Sequence, residues 1–381
     1  MKKIISSERI PIKLWLDDIE SGALEQARNL ANLPFAWKWV AIMPDAHQGF
    51  GMPIGGVLAT DGMIVPNAVG VDIGCGMYAA KTTLKTIEER DLREILERVK
   101  GVIPVGFDHQ TSDQPWKGFH DAPDIEIIQQ ELKSARRQLG TLGSGNHFIE
   151  IQKGDDGHIW VMIHSGSRNF GLKAAEFFHK RALALLNKSP INLPDRDLAF
   201  LPIESRDGKD YFAAMNFCCK FALANRALMM DRIAEIMGDV AGAGIIERIN
   251  IHHNYAAFEE HYGQEVLVHR KGAIKAAMDT VGIIPGSMGT SSYIVKGLGN
   301  PESFQSCSHG AGRRMGRREA QRNLSLAYEQ EKLKGIIHGL YSTRGLDEAP
   351  GAYKDIDRVM ENQKDLVEIM VKLKPLGSIK G

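Results

Sequence analysis

Short polar motifs framed by glycine most constrain this chain, because its 39 glycines are concentrated around them rather than in linkers. In the stretch 70–76, which reads Gly-Val-Asp-Ile-Gly-Cys-Gly, Asp72 and Cys75 stand three residues apart. Glycine permits positive φ angles and a close approach of the backbone to a bound group, so this stretch predicts a tight turn. A carboxylate and a thiol on one turn are ligands that a metal takes together with imidazoles. The alternative is that Cys75 is a small buried hydrophobic residue and Asp72 a turn residue.

Three histidines downstream supply the imidazoles that such a site needs. His147 follows a glycine turn at the start of a predicted strand, His164 ends an apolar run before a Gly/Ser turn, and His253 follows a third strand-like run. For His164 the pattern fits a core histidine as well as it fits a ligand. Asp45 and His47, in the motif Met-Pro-Asp-Ala-His, are predicted to hydrogen-bond ligand imidazoles and to set their orientation.

Two later segments have the composition of a phosphate site. Residues 285–292 read Pro-Gly-Ser-Met-Gly-Thr-Ser-Ser, and their free backbone N–H groups predict an anion-binding nest. The segment is not a Walker loop, because no Gly-Lys-Ser/Thr closes it. His309 lies in another glycine turn, where the sequence gives it no carboxylate or thiol neighbour as a partner. Five arginines follow within residues 313–322. An arginine-rich helix start is often only a solvated face, but beside this histidine it indicates phosphate recognition at least as well.

Composition places the chain among globular proteins with a sizeable core, since 43% of its residues are hydrophobic and 25% charged. Lys+Arg and Asp+Glu both number 47, so net charge gives no sign of a nucleic-acid partner. Four cysteines make no disulfide framework in a chain of this length, which predicts a reducing, cytoplasmic location. The N-terminus lacks the apolar core of a signal peptide and no run of about 18 apolar residues occurs, so no membrane association is expected.

The apolar patterns predict helices and strands mixed without regular βαβ alternation, and hence an α+β fold. We expect helices at residues 24–33, 87–99, 125–139, 172–187, 210–237, 317–333 and 355–373. Strands are expected within 39–80 and at 146–152, 158–164, 247–252, 265–269 and 281–295, with a final extended segment at 376–380. No linker separates domains, so residues 1–381 are predicted to form a single domain.

These motifs, taken in order, resemble those of the RtcB-type RNA-splicing ligases along essentially the whole chain. The resemblance rests on residues 43–47, 70–76, 143–150, 164–168, 253–254, 285–292, 309–313, 352–355 and 380–381. It implies the family's own α+β fold, with mixed sheets around a deep metal-binding cleft and peripheral helices. It also implies a GTP- and Mn²⁺-dependent RNA ligase of tRNA splicing or RNA repair. Its RNA substrates would carry a 2′,3′-cyclic phosphate or 3′-phosphate at one end and a 5′-hydroxyl at the other.

The resemblance implies a role for each matched residue. Asp72, Cys75, His147, His164 and His253 match the ligands of two Mn²⁺ ions, with Cys75 as a thiolate between them, and His309 matches the histidine that accepts GMP. The residues expected to bind GTP are Asn146, His147, Phe148, Ile149, Glu150, His253, Asn254, Pro285, Gly286, Ser287, Met288, Ser292, His309, Gly310, Ala311, Gly312, Tyr353 and Lys380. Arg168, Arg313, Arg314 and Arg317 are expected to contact RNA.

The ligand types do not identify the metal, and the length of the chain departs from the family pattern. Thiolate and imidazole ligands favour zinc by their softness, so the choice of Mn²⁺ follows from the resemblance and not from the ligand types. The chain is also shorter than the commoner members, chiefly in surface loops, which bears on substrate choice more than on the chemistry.

Two other functions stay open at the level of sequence. A two-metal phosphoesterase would use the same ligands with water as the nucleophile, and it would need neither His309 nor a guanine pocket. A protein that only binds RNA ends would keep the arginines and could lose the ligands. All five ligand positions and His309 are intact, which weighs against both. The sequence does not distinguish a spliced tRNA, a cleaved tRNA or a damaged rRNA as substrate, nor whether an accessory activating protein takes part.

Overall fold

A computed structural model describes residues 1–188 and 191–381, and its strands form two large sheets and two small ones. The strands are β1 (Lys3–Ile5), β2 (Ile12–Leu14), β3 (Ala36–Phe50), β4 (Met52–Thr60), β5 (Met63–Ile64), β6 (Gly76–Thr82), β7 (Phe148–Gly154), β8 (Ile159–Ser165), β9 (Leu201–Pro202), β10 (Ile245–His252), β11 (Asn254–His261), β12 (Gln264–Lys271), β13 (Ala273–Lys275), β14 (Val281–Ile284), β15 (Ser292–Gly297), β16 (Ser306–Ser308) and β17 (Val367–Lys380). One large sheet has the order β1-β2-β3-β4-β12-β11 and the other β10-β6-β8-β7-β17-β15-β14, while β13 pairs with β16 and β5 with β9. β2 and β3 run parallel, and the strands of the seven-stranded sheet run antiparallel to their neighbours.

Helices pack around these sheets and complete the α+β fold that the sequence predicts. They are α1 (Ser21–Ala31), α2 (Pro66–Val69), α3 (Glu89–Val102), α4 (Glu126–Gln138), α5 (Arg168–Leu186), α6 (Arg206–Ala241), α7 (Arg317–Asn323), α8 (Leu326–Lys332) and α9 (Ile356–Asn362). The long helix α6 packs on α3, α5 and β10. Within residues 1–188 and 191–381, no helix combines the length and the apolar character that crossing a membrane requires.

The helices predicted within the first 241 residues are present with shifted ends, but two later predictions are wrong. The helix expected at 317–333 is divided into α7 and α8, because Leu324 has extended backbone angles and the Ser325 side chain caps the second helix. The helix expected at 355–373 ends at Asn362, and Val367 starts β17. Residues 367–373 of this strand pair with β15 and residues 373–380 pair with β7, so it is pairing with β15 that overrides the helical pattern at 367–373. The sequence also failed to predict β11.

Four candidate metal ligands lie where neighbouring strands of the seven-stranded sheet begin or end. Cys75 precedes β6, His147 precedes β7, His164 lies at the end of β8 and His253 follows β10. Because β6 and β7 run antiparallel to β8, and β6 also to β10, the starts of one pair meet the ends of the other. In this register Gly76 lies opposite both Ser165 and His252. The sheet therefore collects the four residues at one end.

Helix α6 ties these strand ends together through a buried arginine. The fully buried guanidinium of Arg226 donates hydrogen bonds to Gly74 O at 3.0 Å, to Ser165 O at 2.8 Å and to Asn250 Oδ1 at 2.7 Å. The three acceptors belong to the turn at 70–76, to β8 and to β10. Burial lowers the pKa of Arg226 to about 10, so the group stays charged at neutral pH.

Replacing Arg226 with methionine should lower the free energy of unfolding by about 3 kcal/mol or more, because three acceptors lose their donor and each unsatisfied buried group costs about 1–3 kcal/mol. Urea denaturation followed by circular dichroism measures the change. The control is Arg206→Met in the first turn of the same helix, where the side chain is 94% exposed and a change of about 0.5 kcal/mol or less is expected. Equal unfolding curves for the two variants would contradict the role given to Arg226.

Candidate active site

A row of contacting side chains runs through the buried centre of the site. Asp72 Oδ2 lies 3.0 Å from His147 Nε2, which lies 3.4 Å from Cys75 Sγ. The same sulfur lies 3.3 Å from His164 Nε2, and that nitrogen lies 3.4 Å from His253 Nε2. The ligand atoms of the thiol and the first two imidazoles fall within 4.8 Å of one another. The fold thus brings together all five residues that the sequence indicates as metal ligands.

Backbone carbonyls determine the orientation of two of these imidazoles. His147 Nδ1 lies 3.1 Å from Leu142 O, and His164 Nδ1 lies 3.0 Å from Asn146 O. Because a carbonyl oxygen only accepts, each Nδ1 carries the proton and donates it. Each Nε2 is then left with a free lone pair that faces Cys75, which is the arrangement found in metal-binding histidines.

The donor set of the row fits a bound cation. Asp72 Oδ1 and His253 Nδ1 are buried without a hydrogen-bond partner in the described part of the chain. Burial and the Asp72 carboxylate raise the pKa of the Cys75 thiol, so a nearby positive charge is needed to make it a thiolate. Burial lowers the pKa of His164 and of His253, which keeps both imidazoles neutral. A thiol, neutral imidazoles and a carboxylate are the ligands that transition metals take.

His309 continues the row beyond His253, with the centres of the two rings 4.7 Å apart. His309 Nδ1 lies 2.6 Å from Oδ2 of the fully buried Asp45. The same carboxylate oxygen accepts the backbone N–H groups of His309 at 3.1 Å and of Gly310 at 3.3 Å. Since Nδ1 donates to a carboxylate, Nε2 is the nitrogen of His309 that is free to react.

This pair corrects two expectations. The sequence assigned no carboxylate neighbour to His309, but the fold brings Asp45 to it from 264 residues away. Asp45 was also expected to orient a ligand imidazole, whereas it orients His309, and His47 Nδ1 lies 3.0 Å from the backbone oxygen of Asp45 instead of a ligand. The approach depends on Gly312, where φ is +73° and an added Cβ would lie 2.0 Å from Asp45 O.

A cavity of about 720 Å³ opens beside His309 and His164, which is a volume that suits a nucleotide-sized ligand. The residues expected to bind GTP that line it are Asn146, Phe148, Pro285, Gly286, His309, Gly310, Ala311, Gly312, Tyr353 and Lys380. Lys380 arrives at the end of β17, and its Nζ lies 5.0 Å from the centre of the Phe148 ring. Motifs that lie far apart in the sequence therefore line one cavity.

The other residues expected to bind GTP do not line this cavity. They are His147, Ile149, Glu150, His253, Asn254, Ser287, Met288 and Ser292. Ile149 packs into the core with 1% of its surface exposed. The Asn254 side chain donates to Asp72 O at 3.0 Å and accepts from Gly272 N at 2.8 Å. Asn254 thus holds the turn at 70–76 in place.

A chain of buried polar groups lies behind the cavity wall. The backbone N–H of Gly286 donates to Ser292 Oγ at 3.1 Å, and Gln152 Nε2 donates to the same oxygen at 3.0 Å. Gln152 also hydrogen-bonds the carboxylate of Glu150. Burial raises the pKa of Glu150 to about 7, against the opposing effect of Lys380. The carboxyl group is therefore close to changing its charge at neutral pH.

Glu348 organises another wall of the cavity, and sequence reasoning missed it. Its carboxylate is 6% exposed, accepts the hydroxyl of Tyr353, and lies 3.1 Å from Arg313, 3.7 Å from Arg317 and 3.6 Å from Lys380. Burial opposes ionisation, but Lys380 and the Tyr353 hydroxyl hold the pKa of Glu348 below its usual value. A single glutamate before Ala-Pro-Gly forms no spacing pattern, so only its contacts reveal it.

The four arginines expected to contact RNA lie in three places. Arg313 and Arg317 line the 720 Å³ cavity. Arg314 lines a different cavity of about 440 Å³, and Arg313 lines that cavity as well. Arg168 lines a third cavity, of about 400 Å³, and its Nη1 lies 3.2 Å from His147 Nδ1. The arginines therefore do not form one continuous surface patch.

The chain is similar to known RNA-splicing ligases. The family model described as "tRNA-splicing ligase RtcB" matches residues 26–381. The chain belongs to the RtcB family. It is 38% identical over 408 residues to the "RNA-splicing ligase RtcB" of Escherichia coli K12, covering 100% of this chain and 99% of the relative. It is also 33% identical over 461 residues to the "tRNA-splicing ligase RtcB" of Pyrobaculum aerophilum, covering 98% and 95%.

A third RtcB relative, the "RNA-splicing ligase RtcB" of Mycobacterium tuberculosis, is 34% identical over 432 residues, covering 93% of this chain and 100% of the relative. All three alignments are longer than the 381 residues of the chain, so each relative has insertions with respect to it. The resemblance inferred from the motifs is confirmed, and so is the greater compactness of this chain with respect to these RtcB relatives.

Replacing Gly166 with alanine should remove metal from the row and leave the fold intact. A Cβ at this position would lie 2.1 Å from Asp72 Oδ1, so the Asp72 carboxylate must move. The end of a flexible side chain can move while the backbone stays in place, so the fold should be kept. Metal content measured by mass spectrometry after Mn²⁺ loading should fall, while the unfolding transition changes little. The control is Gly101→Ala on α3, where an added Cβ meets nothing within 4 Å. Equal metal content in both variants would show that Asp72 is dispensable.

Proposed function

We propose that this protein is a GTP-dependent RNA ligase that transfers GMP from His309 to an RNA 3′-phosphate and then joins that end to a 5′-hydroxyl. Ends with a 2′,3′-cyclic phosphate are first hydrolysed to the 3′-phosphate, and residues 1–381 act as one domain. The RtcB relatives are named as RNA-splicing and tRNA-splicing ligases, which supports the joining of RNA. The observation that carries the proposal is the placement of His309, which is oriented by Asp45 between the ligand row and the 720 Å³ cavity.

Two Mn²⁺ ions are proposed to occupy the row. Asp72 and His147 would hold one ion and His164 and His253 the other, with Cys75 shared, because its sulfur contacts an imidazole nitrogen on each side. Bound there, the ions supply positive charge that stabilises phosphate oxygens and the leaving pyrophosphate. Manganese is chosen over zinc on family membership, since these ligand types also suit zinc.

His309 acts as the nucleophile toward the α-phosphorus of GTP. Its Nδ1 proton is held by Asp45, so the Nε2 lone pair is available for attack. The Nε2–P bond forms while the bond from the α-phosphorus to the bridging oxygen breaks, and pyrophosphate leaves. Despite its burial, Asp45 has a lowered pKa because His309 lies against it, so an ionised carboxylate stabilises the charge that develops on the imidazole.

Two further displacements complete the reaction. An oxygen of the RNA 3′-phosphate attacks the GMP phosphorus, the Nε2–P bond breaks, and His309 is regenerated. The 5′-hydroxyl oxygen then attacks the RNA phosphorus, GMP leaves, and the hydroxyl proton is released to solvent as the phosphodiester forms. Arg313 and Arg317, which line the same cavity, are placed to neutralise the phosphates in both steps.

The guanine is proposed to bind against Phe148, Tyr353 and Lys380. An aromatic face and a lysine at 5.0 Å from it form one side of this part of the cavity. Glu150 and Ser292 lie behind it in the polar chain described above. The glycine-rich segments 285–288 and 310–312 would approach the phosphates through their backbone.

Cys75→Ala should lose more metal than any single histidine variant, because one sulfur contacts both halves of the row and each imidazole contacts one. Metal content by mass spectrometry after Mn²⁺ loading and desalting is the measurement. The control is Cys218→Ala, whose thiol is equally buried but lies within α6. A Cys75→Ala protein that keeps two equivalents would rule out the shared position.

Incubation with labelled GTP and Mn²⁺ should produce a covalent GMP adduct that is lost in mild acid and stable in base, as a histidine phosphoramidate is. His309→Ala should form no adduct, whereas the control His120→Ala, an exposed histidine, should form it normally. The His309→Ala protein should still fold and bind metal, because His309 is not in the ligand set.

The same variant separates the steps of the reaction. His309→Ala should fail to join a 3′-phosphate end to a 5′-hydroxyl, yet it should seal an RNA that already carries a 3′-GMP. An acid-stable adduct, or an adduct that persists in His309→Ala, would falsify the assignment and favour a two-metal phosphoesterase that uses water.

A further inference from the structure

One face of β7 continues inward from the wall of the 720 Å³ cavity. Phe148 lines the cavity, and because side chains alternate along a strand, Glu150 and Gln152 follow it on the same face. Glu150 is 3% exposed and Gln152 is fully buried. A carboxyl and an amide are rarely buried without a specific partner, so their position behind the cavity indicates a part in what the cavity binds.

The Gln152 amide holds two side chains side by side. Its Nε2 donates to the Glu150 carboxylate and, at 3.0 Å, to Ser292 Oγ. Because an ionised carboxylate only accepts, the Nε2 end of the amide must face Glu150. This leaves Gln152 Oε1 buried without a hydrogen-bond partner in the described part of the chain. An unpaired buried oxygen is unfavourable, which indicates that the amide serves the two groups at its other end and not the packing of the core.

Ser292 keeps a hydroxyl proton that it can donate to a ligand. Its oxygen accepts from the backbone N–H of Gly286 at 3.1 Å and from Gln152, so both lone pairs are used. Among the residues that the structure describes, the hydroxyl itself donates to no acceptor. Since Ser292 and Glu150 contact the same Gln152 nitrogen, a free donor lies beside an anionic acceptor.

Guanine is the purine that matches this pair of groups. Its Watson–Crick edge offers N–H donors at N1 and N2 and an acceptor at O6, whereas adenine offers a bare N1 lone pair and an amino group at C6. An ionised carboxylate accepts from N1 and N2 of guanine while a hydroxyl donates to O6. The same carboxylate repels the N1 lone pair of adenine. Discrimination between the two purines therefore depends on Glu150 being ionised and correctly placed.

Two groups favour the ionised form of Glu150 against its burial. Burial raises the pKa of Glu150 to about 7, while the charge of Lys380 and the hydrogen bond from Gln152 oppose the rise. Lys380 is shared with Glu348, whose carboxylate lies 3.6 Å from it. The residues opposite Glu150 on β8 and β17, and Ser292 on β15, carry no charge. Loss of the Gln152 donor therefore leaves Lys380 as the one group that favours the anion among these neighbours.

We propose that Gln152 is a positioning residue that determines specificity for guanine, because it holds the Glu150 carboxylate and the Ser292 hydroxyl in the orientation that this base requires. The proposal rests on the proposed use of GTP and extends it to a residue that does not line the cavity. Without the Nε2 donor, Glu150 takes up a proton more readily. A neutral carboxyl group donates a hydrogen bond, which adenine N1 accepts, so GTP binds more weakly and ATP more tightly.

The test measures binding of the α,β-methylene analogues of GTP and ATP to the full-length, Mn²⁺-loaded protein by isothermal titration calorimetry. The carbon bridge in these analogues prevents transfer of the nucleotide, so binding is measured without reaction. Gln152→Met keeps the length of the side chain but lacks the donor. It should lower the preference for the GTP analogue about 10- to 100-fold, as expected for one hydrogen bond to a charged group.

A matched control is available on an exposed helix face. Gln130 Nε2 also donates to a glutamate, Glu126 Oε1 at 3.2 Å, but the pair lies on the surface of α4. Gln130→Met should therefore keep the preference of the unmodified protein for the GTP analogue.

The pH dependence of binding separates positioning from a general loss of structure. As pH falls through the pKa of Glu150, affinity for the GTP analogue should fall and affinity for the ATP analogue should rise. In Gln152→Met both changes should occur at higher pH, because a hydrogen bond that lowers the pKa of Glu150 is lost. Loss of metal or partial unfolding would instead weaken binding of both analogues together.

A double-mutant cycle with Glu150→Gln shows whether Gln152 acts through Glu150. In that background Gln152→Met should change the preference between the analogues little, because the charge that it positions is absent. An unchanged preference and pH dependence in Gln152→Met, or equal weakening of both analogues, would overturn the proposal. Formation of the GMP adduct from GTP by the unmodified protein is measured separately. Its absence would overturn the ligase mechanism, while the binding of the two analogues would still decide the role of Gln152.

Discussion

The hydrogen bonds of one buried guanidinium determine the geometry on which the ligand row depends. Arg226 is planar and donates in fixed directions, so its acceptors at Gly74, Ser165 and Asn250 are held at set positions relative to one another. A buried charge that lost these acceptors would cost several kcal/mol, which makes any looser arrangement of the three segments unfavourable. Helix α6 carries none of the five candidate ligands, but the hydrogen bonds of its Arg226 fix the relative positions of the segments that carry them.

The row that this arrangement produces has a carboxylate at each end. Asp72 lies against His147 at one end, and Asp45 lies against His309 at the other. Between them, backbone carbonyls place protons on the outward nitrogens of the imidazoles, so the inward nitrogens face one another across Cys75. Hydrogen bonds within the protein therefore orient these groups, and fixed orientation is the condition for efficient positioning of a reacting group.

Electrostatics distinguishes the two cavities that flank the row. In the larger cavity, Glu348 draws Arg313, Arg317 and Lys380 together, although three cations at this distance would otherwise repel one another. A polyanion therefore meets donors that are already in position. In the cavity of about 400 Å³, Arg168 is the cation, and it lies near the Asp72 carboxylate and donates to Thr141 Oγ1. Three cations that share one carboxylate therefore line the first cavity, whereas one cation lines the second.

The sequence by itself determined the family, the ligand types and the strand ends on which Cys75, His147, His164 and His253 lie. It could do so because glycine turns, metal-ligand chemistry and strand alternation are local properties that a short stretch of residues expresses. The sequence also predicted most helices up to residue 241 and the α+β class. It did not reveal which of these groups touch, since the order of the row follows from antiparallel strand register.

Only the tertiary structure decided the contacts between distant residues. Asp45 meets His309 across 264 residues because Gly312 lets two backbones approach, and no local pattern encodes that meeting. Residues 367–373 have an apolar pattern that suits a helix, but they form a strand because β15 lies beside them and pairs with them. Glu348 carries no motif at all. Its role arises from what the fold places beside it, which is a property of packing and not of sequence spacing.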